Sequence, residues 1–249
     1  EWTLKTLAAG KHVLTEKPIA MQADEINALI AARDAPGLQV AEAYMIVHHP
    51  QWQRAQQWVQ SGEIGTLRHV DAQFSFCLTD MGNIRNKPDT GGGSLRDIGV
   101  YTFGSARFVT GAEPVDLSSR VVRENDVEIW AQVAATMQGA QGRFTYNSMT
   151  TMRAYNRQVV TFQGDKGMVR LEGGPFNANV NDLAEVELHQ GGNRVLVERF
   201  PAVNQYALQV EAFGNSIRSG APFAWSLENA RGTQSMIDWA YKVAVDAGL

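Results

Sequence analysis

The chain has 249 residues, 44% of them apolar, with 22 basic and 26 acidic side chains and a formal net charge of −4. That apolar content fills one large core or two smaller ones, no basic stripe marks a nucleic-acid partner, and no apolar run reaches bilayer-spanning length. Cys77 is the only cysteine, which excludes an intrachain disulfide and fits a reducing compartment, with the cytoplasm as the default location.

The first residue is Glu, and a helical pattern begins at once on Trp2, Leu4, Leu7 and Ala8 with no cap before it. The simplest expectation is a chain missing its true beginning, with any leader lost alongside it. Residues 2–9 read as a helix closed by Gly10, a glycine suited to the C′ position. Residues 12–15 read as a strand. Ile26, Leu29 and Ile30 give a helix over 24–32, Pro36-Gly37 reads as a stop, and 39–45 form the next strand. This alternation of helix and strand predicts a parallel α/β sheet. Residues 50–60 read as a helix ending at Ser61-Gly62.

After Gly65 the texture changes to strand-like alternation, over 66–76, 128–137, 141–150, 158–173 and 184–200. Gly164-Asp165-Lys166-Gly167 and Gly191-Gly192-Asn193 sit where hairpin turns belong. The expectation is a mostly antiparallel sheet of about five or six strands. A helix opened by Gly91-Gly92-Gly93 follows the first strand, and helices over 205–219 and 226–246 close the chain. The expected division is 1–47 and 48–249.

Three constellations have chemical potential. Glu16-Lys17-Pro18 follows a strand, and ligands of open α/β sheets bind beyond the carboxyl ends of strands. The proline pushes Lys17 out of the helical region; the alternative is a solvated lysine in a turn. In GGGSLRDIGVY, residues 91–101, Asp97 and Tyr101 share a helix face around a costly internal Gly99. There, Ser94 and Asp97 also have the spacing of a capping box, which would make Asp97 structural. His48-His49 has no carboxylate or cysteine at metal-ligand spacing, so no metal is expected and His49 is instead a substrate-rim candidate. Asn83, Arg85 and Lys87 are loop polar groups or a patch near a phosphate or sugar. Trp130, Trp225 and Trp239 fit core positions.

These segments in this order resemble the glucose–fructose oxidoreductase / inositol dehydrogenase / dihydrodiol dehydrogenase (Gfo/Idh/MocA) family. The likeness runs from AGKHVLTEKP through AEAYMIVHHPQ, GEIGTLRHV, NIRNKPDTGGGSLRDIGVY and RLEGGPFNA to QYALQVEAFGNSIRSG. Tyr at position 101 is similar to the branch that includes xylose dehydrogenase, where inositol dehydrogenases carry His. The resemblance implies an α/β (α+β) fold: the C-terminal part of a Rossmann dinucleotide-binding domain (1–47), then an open-sheet substrate and oligomerisation domain (48–249).

It further implies an NAD(P)-dependent oxidoreductase acting on a sugar or related cyclic hydroxyl compound, with NAD or NADP as cofactor. By position, Lys17 corresponds to the family's active-site lysine and Tyr101 to its proton-transferring tyrosine. Glu16, Lys17 and Pro18 would shape the nicotinamide end, and Asp97, Tyr101, His49 and Arg85 the substrate side. An ammonium beside a phenol favours the phenolate, which would make Lys17 and Tyr101 a working acid–base pair. Two departures stand out. Residues 1–38 contain no G-x-G-x-x-G turn, so much of the nucleotide-binding domain is expected to be absent. Val47 stands where many relatives carry arginine. Alternatives are an NAD-dependent glycoside hydrolase of the same superfamily and a non-catalytic sugar-binding or assembly module. Apolar residues on both sides of the strands predict a homodimer or dimer of dimers through the sheet.

Overall fold

A computed structural model describes residues 1–34, 37–177 and 183–248; Pro36 of the expected stop lies outside them. The first element, α1 (Trp2–Ala8), ends where Gly10 takes φ +70° and returns its N–H to the Leu7 carbonyl at 2.8 Å. β1 (Val13–Glu16) and β2 (Val40–Ala43) pair in parallel, with Val13 opposite Val40 and Glu16 opposite Ala43. The helix between them, α2 (Ala23–Asp34), buries Ile26 and Leu29 against Leu7 and Val40. This is one βαβ crossover with two strands, which is less than a dinucleotide-binding fold. Leu227 and Ala230, from near the end of the chain, complete its small core. Packing therefore crosses the expected boundary at residue 47.

A single turn, Met45–His48, leads into α3 (Pro50–Gln60). The main sheet then assembles from β3 (Leu67–Cys77), β4 (Glu113–Glu124), β5 (Val127–Gly139), β6 (Gly142–Thr151), β7 (Arg153–Gly164), β8 (Gly167–Leu171), β9 (Leu183–Gln190) and β10 (Arg194–Pro201). A short β11 (Ala244–Asp246) adds to one edge. The order is β10-β9-β8-β7-β3-β6-β5-β4-β11, nine strands where the alternation predicted five or six. Among the described residues of this sheet, only β3–β6 and β4–β11 pair in parallel. Both predicted hairpin turns form, between β7 and β8 and between β9 and β10.

One face of the sheet is covered by α3, α4 (Val100–Thr110) and α6 (Leu227–Lys242), while α5 (Gln205–Ser219) packs on the Met45–His48 turn. Alternation along β5 puts Ala131, Val133, Ala135 and Met137 into this core with Phe103 and Val109 of α4. Phe103 has no exposed surface, so Phe103→Ala would cost about 3–5 kcal/mol. The opposite face carries Gln132, Ala134 and Gln138 on β5 and Arg143, Thr145 and Asn147 on β6, all exposed. This narrows the expectation of apolar residues on both sides: along most of β5 and β6 the same period of two that buries Val133 turns polar and small side chains outward, while Trp130 and Val159 keep apolar side chains on the face opposite Ala131 and Val160.

Candidate active site

Lys17 follows the carboxyl end of β1, and its Nζ reaches Asp97, eighty residues further along the chain. It donates to the Asp97 carbonyl at 2.5 Å and to Oδ1 at 3.2 Å. The Asp97 Oδ2 accepts from Arg85 Nε at 2.7 Å. Lys17 and Asp97 side chains are only 12% and 15% exposed. A carboxylate with two cationic partners in a half-buried site is a charge-assisted cluster that holds its members in fixed positions. The Lys17 ammonium also lies 4.7 Å above the centroid of the Tyr101 ring, in cation–π geometry.

The turn presenting Asp97 is not the capped α-helix that the spacing suggests. Leu95–Gly99 is a π-type turn running into α4, and Asp97 makes no capping contact with Ser94. Gly93 sits at φ +130°, a conformation open to glycine. The Ser94 hydroxyl and the Leu95 N–H instead turn inward to Glu128 of β5, at 2.5 and 2.9 Å. With Glu128 taking over the role of cap acceptor, the Asp97 carboxylate is free to face Lys17 and Arg85.

Tyr101 is held from behind. Tyr44 stacks on it at 5.7 Å and donates its hydroxyl toward the Val100 and Tyr101 carbonyls, at 3.2 and 3.3 Å. The backbone of Gly104 leaves room for that hydroxyl, since a Cβ there would come within 2.5 Å of it. Trp225 stacks on Tyr44 at 4.4 Å and donates to the buried Glu42 at 2.9 Å. Glu42 also accepts from the Ile19 N–H at 3.0 Å, which pins the chain just after Pro18. Burial raises the Glu42 carboxyl above its ordinary value, and the Ile19 and Trp225 hydrogen bonds oppose that rise.

The Tyr101 hydroxyl is 3.7 Å from the Met45 sulfur. Its pKa is raised above the ordinary phenol value, mainly by burial and further by Tyr206, Asp97, Glu16 and Glu42. This reverses the expectation that the Lys17 ammonium lowers it. The ammonium sits over the ring face, and desolvation outweighs it, so Tyr101 is a neutral phenol at ordinary pH.

Two clefts meet at this cluster. The first, about 380 Å³, is lined by Met45, Phe74, Phe76, Tyr101, Asn156 and Tyr206 among others. The second, about 370 Å³, is lined by Pro18, Met21, Ile84, Thr90 and the glycines Gly91 to Gly93. Glu16, Lys17, Arg85 and Asp97 line both. Tyr206, Phe76 and Asn156 escaped the sequence reading. Phe74 and Phe76 alternate along β3 as an ordinary strand would, and Tyr206 opens α5 like any helical aromatic.

His49 lies outside both clefts, a correction to its place at the substrate rim. It is 1% exposed, caps α3 by accepting the Gln51 N–H at Nδ1 (3.1 Å), and meets Phe200 edge-on. The following Pro50 opens the helix, a position suited to proline, so His49-Pro50 is a helix start. Val47 is buried at 1% exposure.

Residues 52–170 match the GFO/IDH/MocA C-terminal domain. An uncharacterized oxidoreductase of Rhizobium meliloti, ORF334, is 35% identical over 95% of this chain and 72% of its own length. D-xylose 1-dehydrogenase (NADP(+)) 2 of Haloferax volcanii is 31% identical over 98% of this chain and 74% of its own length. The crystal structure of a 3-ketoreductase from Actinomadura kijaniata in complex with NADP and TDP-benzene superposes with a TM-score of 0.85 at 29% identity, covering 98% of this chain and 74% of that one. Such coverage bears on the residues present and does not by itself support the expected absence of a nucleotide-binding half. The chain belongs to the GFO/IDH/MocA family of oxidoreductases.

Proposed function

We propose that this chain acts in hydride transfer between a nicotinamide cofactor, NAD or NADP, and a sugar or related cyclic hydroxyl compound. The observation that carries this reading is the Lys17–Asp97–Arg85 cluster at the meeting of two clefts, with the Tyr101 phenol beneath the Lys17 ammonium. The named activities of the Haloferax and Actinomadura relatives support the substrate class.

The residues present suit the nicotinamide end of such a cofactor. Glu16, Lys17 and Pro18 stand at the carboxyl end of a parallel strand, beside a cleft of about 370 Å³, within the usual size of small-molecule sites. Residues 1–47 would be the end of a dinucleotide-binding domain in this reading. Residues 1–38 hold no glycine-rich phosphate turn, and no residue is assigned to the phosphates. When bound, the nicotinamide supplies or takes the hydride.

The chain's own residues manage the proton and the geometry. Tyr101, kept protonated by its burial, donates to a developing sugar alkoxide during reduction and is left as a phenolate that regains a proton from water; oxidation runs the same path in reverse and starts from that phenolate. Lys17, fixed by the Asp97 carbonyl and Oδ1, supplies a positive charge beside the sugar oxygen. Arg85 and Asp97 orient the sugar from the cleft wall, while Phe74, Phe76 and Tyr206 give the apolar faces against which a sugar ring stacks. The exposed polar face of the sheet would receive a second copy, which light scattering over a dilution series tests. The functional reading itself is tested by following NADH and NADPH with a panel of free aldoses and nucleotide-linked keto sugars. Turnover abolished by Lys17→Met supports it; no binding of either cofactor and no turnover of any sugar overturns it.

A further inference from the structure

Glu128 lies in β5, far from both clefts in sequence and absent from their walls, yet it is 3% exposed and carries a full set of partners. One oxygen contacts the Ser94 hydroxyl at 2.5 Å; the other accepts from the Leu95 N–H at 2.9 Å and the Tyr241 hydroxyl at 3.3 Å. Ser94 in turn meets Thr150 of β6 at 2.7 Å. Two strands and α6 thus converge on the turn just ahead of Asp97. The turn is fitted to them: a Cβ at Gly93 would come within 2.7 Å of the Tyr241 hydroxyl and 3.3 Å of Glu128 Oε2.

We propose that Glu128 is a positioning residue, anchoring the 93–95 turn to the sheet so that Asp97 holds Lys17 between the two clefts. The inference rests on the reading of Lys17 and Asp97 given above. A carboxyl at this site serves the turn in either protonation state. Ionised, it accepts from both Ser94 and Leu95. Protonated, its O–H donates to Ser94 Oγ, which passes its own hydrogen to Thr150, while the other oxygen still accepts from Leu95. Burial pushes this carboxyl up to about 7, against the opposing pull of the Ser94, Leu95 and Tyr241 hydrogen bonds, so both forms occur near neutrality. Glutamine reproduces the protonated pattern, with its amide nitrogen facing Ser94. Methionine fills the same space and accepts nothing from Leu95.

The test reads position without turnover. The full chain is labelled briefly with acetic anhydride, and acetylation of Lys17 is measured by peptide mass spectrometry against Lys11, which is exposed and serves as the internal reference. Lys17 in the wild type is shielded by its bonds to Asp97. Glu128→Met is expected to raise the Lys17/Lys11 ratio several-fold, and Glu128→Gln to leave it at the wild-type value. Should Glu128→Met fail to fold, Ser94→Ala removes one of the anchors and is expected to raise the ratio by a smaller factor. A folded Glu128→Met with the wild-type ratio overturns the proposal, as does an unchanged ratio in Ser94→Ala where Glu128→Met does not fold. Loss of sugar turnover plays no part in this outcome, so failure here leaves the functional reading to its own test.

Discussion

The Lys17 ammonium stands 4.7 Å above the Tyr101 ring and within 3.2 Å of the Asp97 carboxylate, so one cation is held between a π face and an anion. The ammonium is therefore fixed in direction as well as in charge. It sits where both clefts can reach it, which is the position required of a group that steadies charge on a reacting oxygen.

Replacing Lys17 with methionine keeps the aliphatic stem over Tyr101 and deletes the charge. Turnover is expected to fall by about 10²-fold or more, the scale of a lost acid–base or electrostatic contact. Asp97 keeps Arg85 as a partner, so the melting temperature is expected to change little. Steady-state kinetics together with a thermal melt check both halves.

Asp97→Asn separates the site role from the capping role that the spacing suggested. Ser94 and Leu95 bond to Glu128, so the neutral amide costs no cap. It does weaken the hold on Lys17 and Arg85. The expected result is a raised KM or lowered kcat with a melting temperature near wild type. A loss of about 1 kcal/mol in stability with full activity, the pattern of a lost cap, would return Asp97 to a structural role.

Two buried histidines and one buried carboxyl give opposite pH dependences of stability. His48 and His49 are lowered from 6.5 to about 4 by burial. The folded state binds fewer protons there than the unfolded chain, so their stabilisation is present above the unfolded value and lost as pH falls through about 4. The shift corresponds to at most about 3 kcal/mol for each ring. His49→Asn preserves a helix cap and is expected to remove its share of the acid loss, as denaturation midpoints along a pH series would show.

Glu128 runs the other way. Its carboxyl is raised from 4.5 to about 7, so the folded state binds the extra proton. Its contribution is fully present below about 4.5 and lost as pH rises through about 7, by on the order of 3 kcal/mol at most. Glu128→Gln is expected to gain stability relative to wild type between about pH 5 and pH 8. Melting temperatures at the two ends would fail this account if the difference between the chains stayed constant.

How much of this was legible varies with the physics of each element. The hairpins on either side of Gly164–Gly167 and Gly191–Asn193 were plain, because alternation and turn residues agreed. β4 was not, because its buried positions are Leu117, Ser119 and Val121, a short apolar signal interrupted by a serine. β11 has three residues and follows α6 directly, so its apolar residues looked like a continued helix. At the site, the resemblance singled out Lys17, Asp97 and Tyr101 across eighty residues of sequence; the structure brings them into contact. His49 misled because a helix-capping histidine and a rim histidine look alike in sequence. Glu128 gave no signal, since its partners lie 33 and 34 residues upstream and only the fold brings them together.

In the proposed reaction the neutral Tyr101 phenol moves the proton beside the Lys17 charge. Its hydroxyl touches only the Met45 sulfur among its described partners, so Tyr101→Phe should leave the ring stack and the fold intact. The most direct measurement is the single-turnover rate of NADPH oxidation with a keto-sugar substrate, wild type against Tyr101→Phe, with melting temperatures taken alongside. The account predicts a rate lower by about 10²-fold or more at an unchanged melting temperature. A Tyr101→Phe chain that reduces the sugar at the wild-type rate would contradict it.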